Sequence, residues 1–304
     1  MDLRRLRYFV AVAEELHFTR AAERLYIAQP SLTQQIRALE AELGVALFER
    51  SRRHVTLTAA GERLLERARA LLREAGAAAE EVRRIGRGEL GELRIAFTSS
   101  LPFSELIPRL LYDYRRRYPD VRLELRDTGT QRQLDLLLAG RLDLGFVRTD
   151  DPQLPAGLAW TELHRDPLRL VIHEAHPLAG RNEVAIAELA EEAFVMFPED
   201  SGTGLLRQFH ALCRTAGFTP HIVQEAREVS TIIGLVAAGL GLSILPAPLA
   251  CIGIARVRFL ALTDAAAQSI VLLATRAGPL PAAVANFVEQ AASGARLGAP
   301  PTTG

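Results

Sequence analysis

The spacing of the apolar residues changes near residue 90, and this change constrains the fold more than any other feature of the sequence. In the first 90 residues, apolar side chains recur three and four positions apart, which is the period of an amphipathic α-helix. The first such series consists of Leu3, Leu6, Val10, Ala13 and Leu16. Beyond that point, helical segments alternate with short β-rich runs, at 93–97, 121–125, 142–147 and 168–172. The pattern predicts a helical domain followed by an α/β domain with parallel strands.

The length and the charge content bound the class of protein. A chain of 304 residues exceeds what one hydrophobic core usually organises, and 49% hydrophobic residues exclude intrinsic disorder. The 36 basic residues balance the 36 acidic ones, so the whole molecule has no field that attracts nucleic acid. Residues 1–90 hold 16 arginines against 13 acids, whereas residues 91–304 hold 20 against 23. Any binding of DNA is therefore expected to be local and to lie in the first 90 residues.

The types of residue present exclude several chemistries. Every basic residue is Arg, which excludes a Schiff-base lysine and the lysine of a phosphate-binding loop. Two cysteines, Cys213 and Cys251, are too few for a disulfide framework or a four-ligand zinc site. No metal and no cofactor are expected. The N-terminus carries no secretory signal, so the cytoplasm is the expected location.

The segment 231–255 contains no charged residue and is long enough in principle to cross a bilayer. Glycines and prolines would break a spanning helix repeatedly. They are Gly234, Gly239, Gly241, Pro246 and Pro248. The segment is therefore predicted to form a helix, a turn, a buried strand and a second, proline-started helix within the α/β core, and no membrane contact is expected.

A heptad pattern separates the two parts of the chain. Its apolar positions step by four and three residues, at Leu64, Ala68, Leu71, Ala75, Ala78, Val82 and Ile85. Thr58 is the expected N-cap, and Gly86 with Gly88 should end a helix of about 28 residues. A seam this narrow favours a coiled coil with a second chain. The alternative is a helix that lies on its own domain.

Two short helices joined by a turn precede this seam. The first, at 18–25, is expected to be capped by Thr19 or a near neighbour, and the second begins at Pro30. Leu32, Ile36 and Leu39 share one face of the second helix, and the opposite face is polar. Gln and Arg can read adenine and guanine edges in the major groove, and a basic hairpin at 48–57 can contact the flanking phosphates. The candidate DNA contacts are Gln29, Pro30, Ser31, Thr33, Gln34, Arg37, Arg50, Arg52 and Arg53.

These residues also resemble a known family. Ala21-Ala22-Glu23-Arg24-Leu25, Ala28-Gln29-Pro30-Ser31-Leu32-Thr33 and Leu57-Thr58-Ala59-Ala60-Gly61 are similar to the winged helix-turn-helix of LysR-type transcriptional regulators. A weaker likeness extends over the remaining chain to the effector-binding part of the same family. The resemblance implies an α/β protein with an N-terminal all-α winged helix-turn-helix, a long linker helix and two α/β subdomains like those of periplasmic binding proteins.

The resemblance also implies the domain bounds. Residues 1–58 would bind DNA, 59–88 would form the dimerisation helix, and 91–304 would bind an effector. The two subdomains of the last part are expected at 91–161 plus 267–304 and at 162–266.

The likeness is closest to the members that control aromatic degradation, in which a cleft between the subdomains takes a muconate-type dicarboxylate. The residues that match the cleft are Ser99, Ser100, Thr128, Arg148, Ser201, Gly202, Thr203, Val229 and Ser230. Elementary chemistry supports an anion there. Ser99 and Ser100 stand between a strand and a helix, and Arg148 is expected to follow the strand 142–147, at the edge where α/β sheets bind ligands. The alternative for Arg148 is a surface ion pair with Asp150 or Asp151.

The leading hypothesis is a transcriptional regulator that binds double-stranded DNA and a small carboxylate and forms dimers, with tetramers and RNA polymerase as further expected partners. One rival is a cytoplasmic small-molecule binding protein whose N-terminal helices only oligomerise. The other is a serine hydrolase that uses Ser99 with His164, His173 or Cys213. No Gly-x-Ser-x-Gly motif surrounds Ser99, so the chain is not expected to be an enzyme.

Overall fold

The computed structural model describes residues 1–50, 54–149 and 155–297. The chain divides into two compact units, Met1–Arg84 and Ile85–Gly304. Each unit has its own hydrophobic core, and each is described by itself.

The first unit contains short helices, a hairpin and most of one long helix. Its elements are α1 (Leu3–Glu15), α2 (Phe18–Arg24), α3 (Gln29–Leu43), β1 (Phe48–Arg50), β2 (Val55–Leu57) and α4 (Ala59–Gly86). The apolar faces of α1 and α3 meet in a core that includes Phe9 and Ile36, both fully buried. The ring of Phe48 lies 5.4 Å from that of Phe9, which joins the hairpin to this core. The cap of α2 is His17, whose Nδ1 accepts a hydrogen bond from the Arg20 amide, and not Thr19.

The long helix α4 begins and ends where the sequence predicts. The Thr58 hydroxyl accepts from the Gly61 amide at 3.0 Å, which is an N-cap contact, and the helix ends at Gly86. The heptad seam divides into two parts. Ala68 is buried in the core of the first unit and Leu64 packs against it, whereas Leu71, Val82 and Ile85 are 43%, 68% and 53% exposed. The start of the helix therefore lies on its own domain, and the rest of the seam faces outward.

The second unit is an α/β fold. Its strands are β3 (Gly91–Phe97), β4 (Val121–Asp127), β5 (Leu144–Thr149), β6 (Leu158–His173), β7 (Glu183–Val184), β8 (Ala193–Met196), β9 (His221–Glu225), β10 (Ser243–Pro246), β11 (Val257–Leu262) and β12 (Gln268–Arg276). Its helices are α5 (Leu106–Arg117), α6 (Thr130–Leu138), α7 (Gly204–Thr215), α8 (Val229–Ala237) and α9 (Ala282–Leu297).

One eight-stranded sheet runs through both halves of this unit, in the order β4-β3-β5-β12-β6-β11-β7, with β10 also paired to β6. The strands β3, β4 and β5 are parallel, as the alternating pattern predicts. Strand β6 pairs with β12 as far as Pro167, and with β10 and β11 from Leu168 onward. The expected division after residue 161 falls inside β6, and the change of strand partners comes later along it.

The uncharged segment 231–255 folds as predicted into the end of α8, a glycine turn, β10 and the 3₁₀ helix Ala247–Ile252. Strand β10 is buried along its whole length, because it packs between β6 and the helices of its own half. No helix in the described part of the chain is long and apolar enough to cross a membrane.

Candidate functional site

The polar face of α3 is the candidate DNA-reading surface. Leu32, Ile36 and Leu39 are buried, which turns the other side of the helix outward. The outward residues Gln29, Pro30, Ser31, Gln34 and Arg37 are exposed, and Thr33 is half-buried. The Thr33 hydroxyl donates to the Gln29 carbonyl at 3.0 Å and accepts from the Gln29 side chain at 3.3 Å. This pair orders the first turn of α3, so Gln34 and Arg37 are the freer side chains for base edges.

The hairpin beside α3 has the pairing of a wing. Strands β1 and β2 are antiparallel, with Phe48 opposite Leu57 and Arg50 opposite Val55. The Glu40 carboxylate accepts from the amides of Leu47 and Phe48, which attaches β1 to α3. Arg52 and Arg53, and the side chain of Arg50, lie outside the described residues.

Tyr26 is a candidate contact that the sequence analysis missed. It stands in the turn between α2 and α3, is 96% exposed, and has a φ of +54°. A bulky residue rarely adopts a left-handed backbone, and a large aromatic side chain is rarely left this open to solvent. An exposed aromatic ring on an unfavourable backbone conformation, in the turn just before α3, makes Tyr26 a candidate contact with a binding partner.

The candidate effector site is a cavity between the two halves of the second unit. One wall consists of polar residues at the ends of β3 and β5 and at the start of α6, namely Thr98, Ser99, Ser100, Thr130 and Arg148. The other wall is mostly apolar and consists of Phe197, Thr203, Gly204, Leu205, Val229, Leu245, Pro246 and Leu249. The free volume at its centre is about 20 Å³, which is room for about one water molecule.

Arg148 lies deeper than its sequence position predicts. It belongs to strand β5 itself, not to a loop after it, and is only 3% exposed. Its Nη2 lies 2.6 Å from Oδ2 of Asp166, and its Nε donates to the Ser100 hydroxyl at 2.8 Å. Asp150 and Asp151, the alternative partners, lie outside the described residues. Burial lowers the pKa of Arg148, and the facing Asp166 carboxylate opposes this effect.

Three polar atoms in the polar wall are buried without a hydrogen-bond partner. They are Nη1 and Nη2 of Arg148 and the hydroxyl of Thr98, and of these only Nη2 lies beside a carboxylate, that of Asp166. Native proteins pair nearly all buried polar atoms, because an unpaired one costs about 1–3 kcal/mol. Nη1 and the Thr98 hydroxyl, unpaired beside one cavity, mark a place where a ligand oxygen would be stabilised.

Helix starts add positive potential at the same place. The helices α6, α7 and α8 begin at Thr130, Gly204 and Val229, and each of these residues lines the cavity. None of the three has a side-chain cap in the described structure. Apart from the Gln131 amide of α6, which donates to the Gly202 carbonyl, the first N–H groups of these helices favour a negative group, and they do so from both halves of the unit.

Two glycines permit the halves to approach so closely. A Cβ at Gly204 would lie 2.3 Å from the carbonyl oxygen of Arg148, and one at Gly129 would lie 2.5 Å from that of Ser201. The amide of Gln131 also donates to the Gly202 carbonyl at 3.3 Å. The arrangement is a closed cleft that only backbone without side chains can form at these points.

The cavity gathers some of the predicted residues and leaves others out. Ser99, Ser100, Arg148, Thr203 and Val229 line it, whereas Thr128, Ser201, Gly202 and Ser230 are not among its lining residues. The amide of Thr128 donates to the Phe97 carbonyl, and its own carbonyl accepts from the Gln133 side chain. Its backbone groups are therefore occupied by hydrogen bonds within the fold. Ser201 and Gly202 instead form the contact with the opposite half.

Reasoning from the sequence missed Asp166, Thr98, Thr130 and the apolar wall apart from Thr203 and Val229. Two of that wall's residues had a usable signal, since Phe197 directly follows β8 and Pro246 ends β10. Asp166 had none, because nothing in its neighbourhood along the chain indicates a buried charge.

Two observations bear on other chemistries. No group of three or more metal-ligating side chains is present among the residues that the structure describes. Cys213 is buried, and burial raises the pKa of its thiol to about 12, so it is a poor nucleophile at neutral pH.

Comparison with known families identifies both units. The helix-turn-helix model of bacterial regulatory proteins of the lysR family matches residues 3–62, and the LysR substrate binding domain matches residues 86–296. The second match alone covers more than half of the chain.

Individual proteins agree with these family matches. The uncharacterized HTH-type transcriptional regulator YnfL of Escherichia coli (strain K12) is 49% identical over 81% of this chain and 82% of its own length. The HTH-type transcriptional regulator AlsR of Bacillus subtilis (strain 168) is 41% identical over 81% and 80%. The crystal structure of full-length CbnR complexed with its target DNA has a TM-score of 0.80 at 32% identity, and covers 97% of this chain and all of that one.

The fold thus defines a helix-turn-helix regulator joined to a substrate-binding α/β domain, and the predicted fold class is confirmed. The chain belongs to the LysR family of DNA-binding transcriptional regulators, with an effector-binding domain, and it is not an enzyme.

Proposed function

We propose that this regulator reads its operator through α3 and the adjacent hairpin, pairs with a second copy through α4, and responds to a small carboxylate held between the two halves of its second unit. The corresponding ranges are those expected from the sequence, 1–58, 59–88 and 91–304. One observation carries the effector proposal. A buried arginine with an unpaired Nη1 lies in a cavity where three uncapped helices begin.

The operator proposal draws on the polar face of α3. Gln34 and Arg37 are exposed on a helix whose other face is buried, which is the arrangement that inserts a recognition helix into the major groove. CbnR, to which this chain is 32% identical, was solved in complex with its target DNA, which supports a DNA-binding role for this chain. A ligand-binding protein without a DNA role would have no need of this face.

Assembly and location remain predictions. The exposed seam from Leu71 to Ile85 supports a dimer, and tetramers, contact with RNA polymerase and a cytoplasmic location are expected from the family resemblance. The residues outside the cavity lining, Thr128, Ser201, Gly202 and Ser230, are proposed to act on closure of the cleft rather than on the ligand directly.

The test has two parts, and both use the full-length protein. Footprinting on the intergenic DNA beside its own gene should give a sequence-specific protected site. Calorimetry with a panel of aliphatic and aromatic acids should give saturable binding, and the bound acid should change the footprint. The panel includes aliphatic as well as aromatic acids, because it also tests whether the effector is of the kind that the likeness to the aromatic-degradation members implies. Binding to all DNA with equal affinity would contradict the operator proposal. If no acid of the panel binds, the proposal of a carboxylate effector is contradicted.

A further inference from the structure

The charges around the cavity limit what kind of acid it can hold. Arg148 is the only charged side chain among the described residues that line it. That charge is already balanced, because Asp166 lies 2.6 Å from Nη2 and is itself only 4% exposed. A buried arginine and a buried aspartate form a neutral pair. One ligand carboxylate therefore adds one uncompensated negative charge, which the helix starts can stabilise, and a second carboxylate would add another.

The buried side-chain donors of the polar wall that have no ion pair or hydrogen bond are enough for one carboxylate. Nε of Arg148 donates to Ser100, and Nη2 faces Asp166, which leaves Nη1. The hydroxyl of Thr98 is the other unpaired buried group in the same wall. A carboxylate has two oxygens, and these two groups can satisfy both.

The opposite wall offers a second carboxylate no charged side chain, and only the Thr203 hydroxyl and the starts of α7 and α8 are polar there. Phe197, Leu205, Val229 and Leu249 are at most 6% exposed and present hydrocarbon to the cavity. Moving an ionised carboxylate from water to such a surface is strongly unfavourable, whereas a methylene or a ring edge gains free energy there.

Acidic side chains near the cavity also disfavour a ligand with two negative charges. Glu228 directly precedes the lining residue Val229, and it lies close enough to Asp127 of the other half to contribute to a raised pKa of that carboxyl, after burial as the larger cause. A dianion would thus meet like charges on this side of the cavity.

We infer that the effector is a monocarboxylate with a compact apolar body, and that Asp166 is the internal counterion that rejects dicarboxylates. Because the closed cleft has room for about one water molecule, the two halves would separate to admit the acid. The carboxylate would then take Nη1 of Arg148 and the Thr98 hydroxyl, and the apolar body would lie against Phe197, Leu205 and Leu249. This inference rests on the proposed function. It narrows the small carboxylate of that proposal to monocarboxylates and so excludes the muconate-type dicarboxylate.

The test compares acids of matched size on the full-length protein. Butyrate and succinate have the same number of carbons and differ by one carboxylate, and benzoate and muconate form a second pair. Calorimetry should give at least tenfold tighter binding of the monoacid in a pair that binds. Equal or tighter binding of succinate or muconate would overturn the inference and leave the proposed function standing. Failure of all four acids to bind would overturn both.

A substitution of the counterion, Asp166, gives a second and independent test. Asp166→Asn keeps the size of the side chain and removes its charge, so the advantage of butyrate over succinate should fall severalfold. Asp113→Asn, an exposed aspartate on α5, is the matched control and should leave the ratio unchanged. An unchanged ratio in a folded Asp166→Asn protein, judged by its thermal transition, would remove Asp166 from this role. The comparison of acids on the unsubstituted protein does not depend on either variant.

Discussion

At the scale of the residue, Gln34 and Arg37 lie where base contacts require them. Both are exposed on α3, and α3 is held by Leu32, Ile36 and Leu39 on its opposite face, so truncation should not disturb the core. Gln34→Ala and Arg37→Ala are each expected to weaken operator binding by about 1–3 kcal/mol, the usual cost of a lost base contact. Titration of labelled operator at fixed salt measures this. Arg109→Ala on α5, also an exposed arginine but in the second unit, should retain full affinity. Unchanged affinity in both α3 variants would move the recognition surface elsewhere.

A pair of glycines gives a second test at this scale. Gly204→Ala would place a methyl group 2.3 Å from the Arg148 carbonyl oxygen, so the two halves would have to separate, and a loss of about 1–3 kcal/mol is expected. Gly234 lies inside α8, where a methyl group added to its Cα would meet no atom within 4 Å. Gly234→Ala should therefore stabilise the protein by about 0.5–1 kcal/mol through helix propensity. Urea unfolding of both variants measures whether each substitution lowers or raises the free energy of unfolding. Stabilisation by Gly204→Ala would show that the close contact is not kept in solution.

At the scale of the element, α4 serves two purposes along its length. Its first turns pack into the core of the first unit through Ala68, and the Arg69 guanidinium donates to Glu14 of α1 at 2.9 Å. The remaining apolar positions lie exposed, at a spacing that suits a partner helix. A substitution that tests pairing should therefore be placed late in the helix, because a substitution at Leu64 or Ala68 would also affect the folding of the first unit.

Val82→Glu meets this requirement, since Val82 is 68% exposed. Two glutamates facing each other in a coiled coil repel, so the variant should be largely monomeric by analytical ultracentrifugation at concentrations where the natural protein is dimeric. Its operator affinity should fall, because one helix-turn-helix unit reads one half-site. Ala77→Glu lies on α4 away from the seam and is the control. A Val82→Glu protein of unchanged mass would place the dimer contact outside α4.

At the scale of the whole molecule, the question is whether occupancy of the cavity changes DNA binding. A ligand shifts the balance between two conformations only as far as it binds one better than the other. Contacts from both walls meet this condition, because closing the cleft completes them. Arg148 is the natural residue to test, but Arg148→Leu alone would remove the arginine that balances the buried Asp166 and leave only His164 beside that carboxylate. Breaking a buried ion pair in this way costs about 3–5 kcal/mol.

The double variant Arg148→Met with Asp166→Asn removes both charges together and avoids that cost. It should bind the operator with the affinity of the natural protein and show no change of the footprint with any acid that acts on the natural protein. Asp166→Asn alone, which keeps Arg148, should retain a response. A normal response in the double variant would exclude Arg148 from the effector site.

The sequence by itself determined the elements whose cause is local. The heptad spacing placed α4 to within a residue or two, and Thr58 capped it, because helix formation depends on residues three and four apart. The glycines and prolines of 231–255 excluded a spanning helix for an equally local reason. The polar and apolar faces of α3 follow from the 3.6-residue period alone.

Only the tertiary structure decided which groups meet in the cavity. Arg148 reaches Asp166 because β12 lies between β5 and β6, with Val271 opposite Arg148 on one side and His164 on the other. That order of strands is set by packing across the whole sheet, and a one-residue shift in register would turn either side chain to the opposite face. The apolar wall comes from strands and helices in the other half of the unit, and the approach of Gly204 to Arg148 brings it to the arginine. Contacts of this kind depend on long-range pairing, which no local pattern of residues encodes.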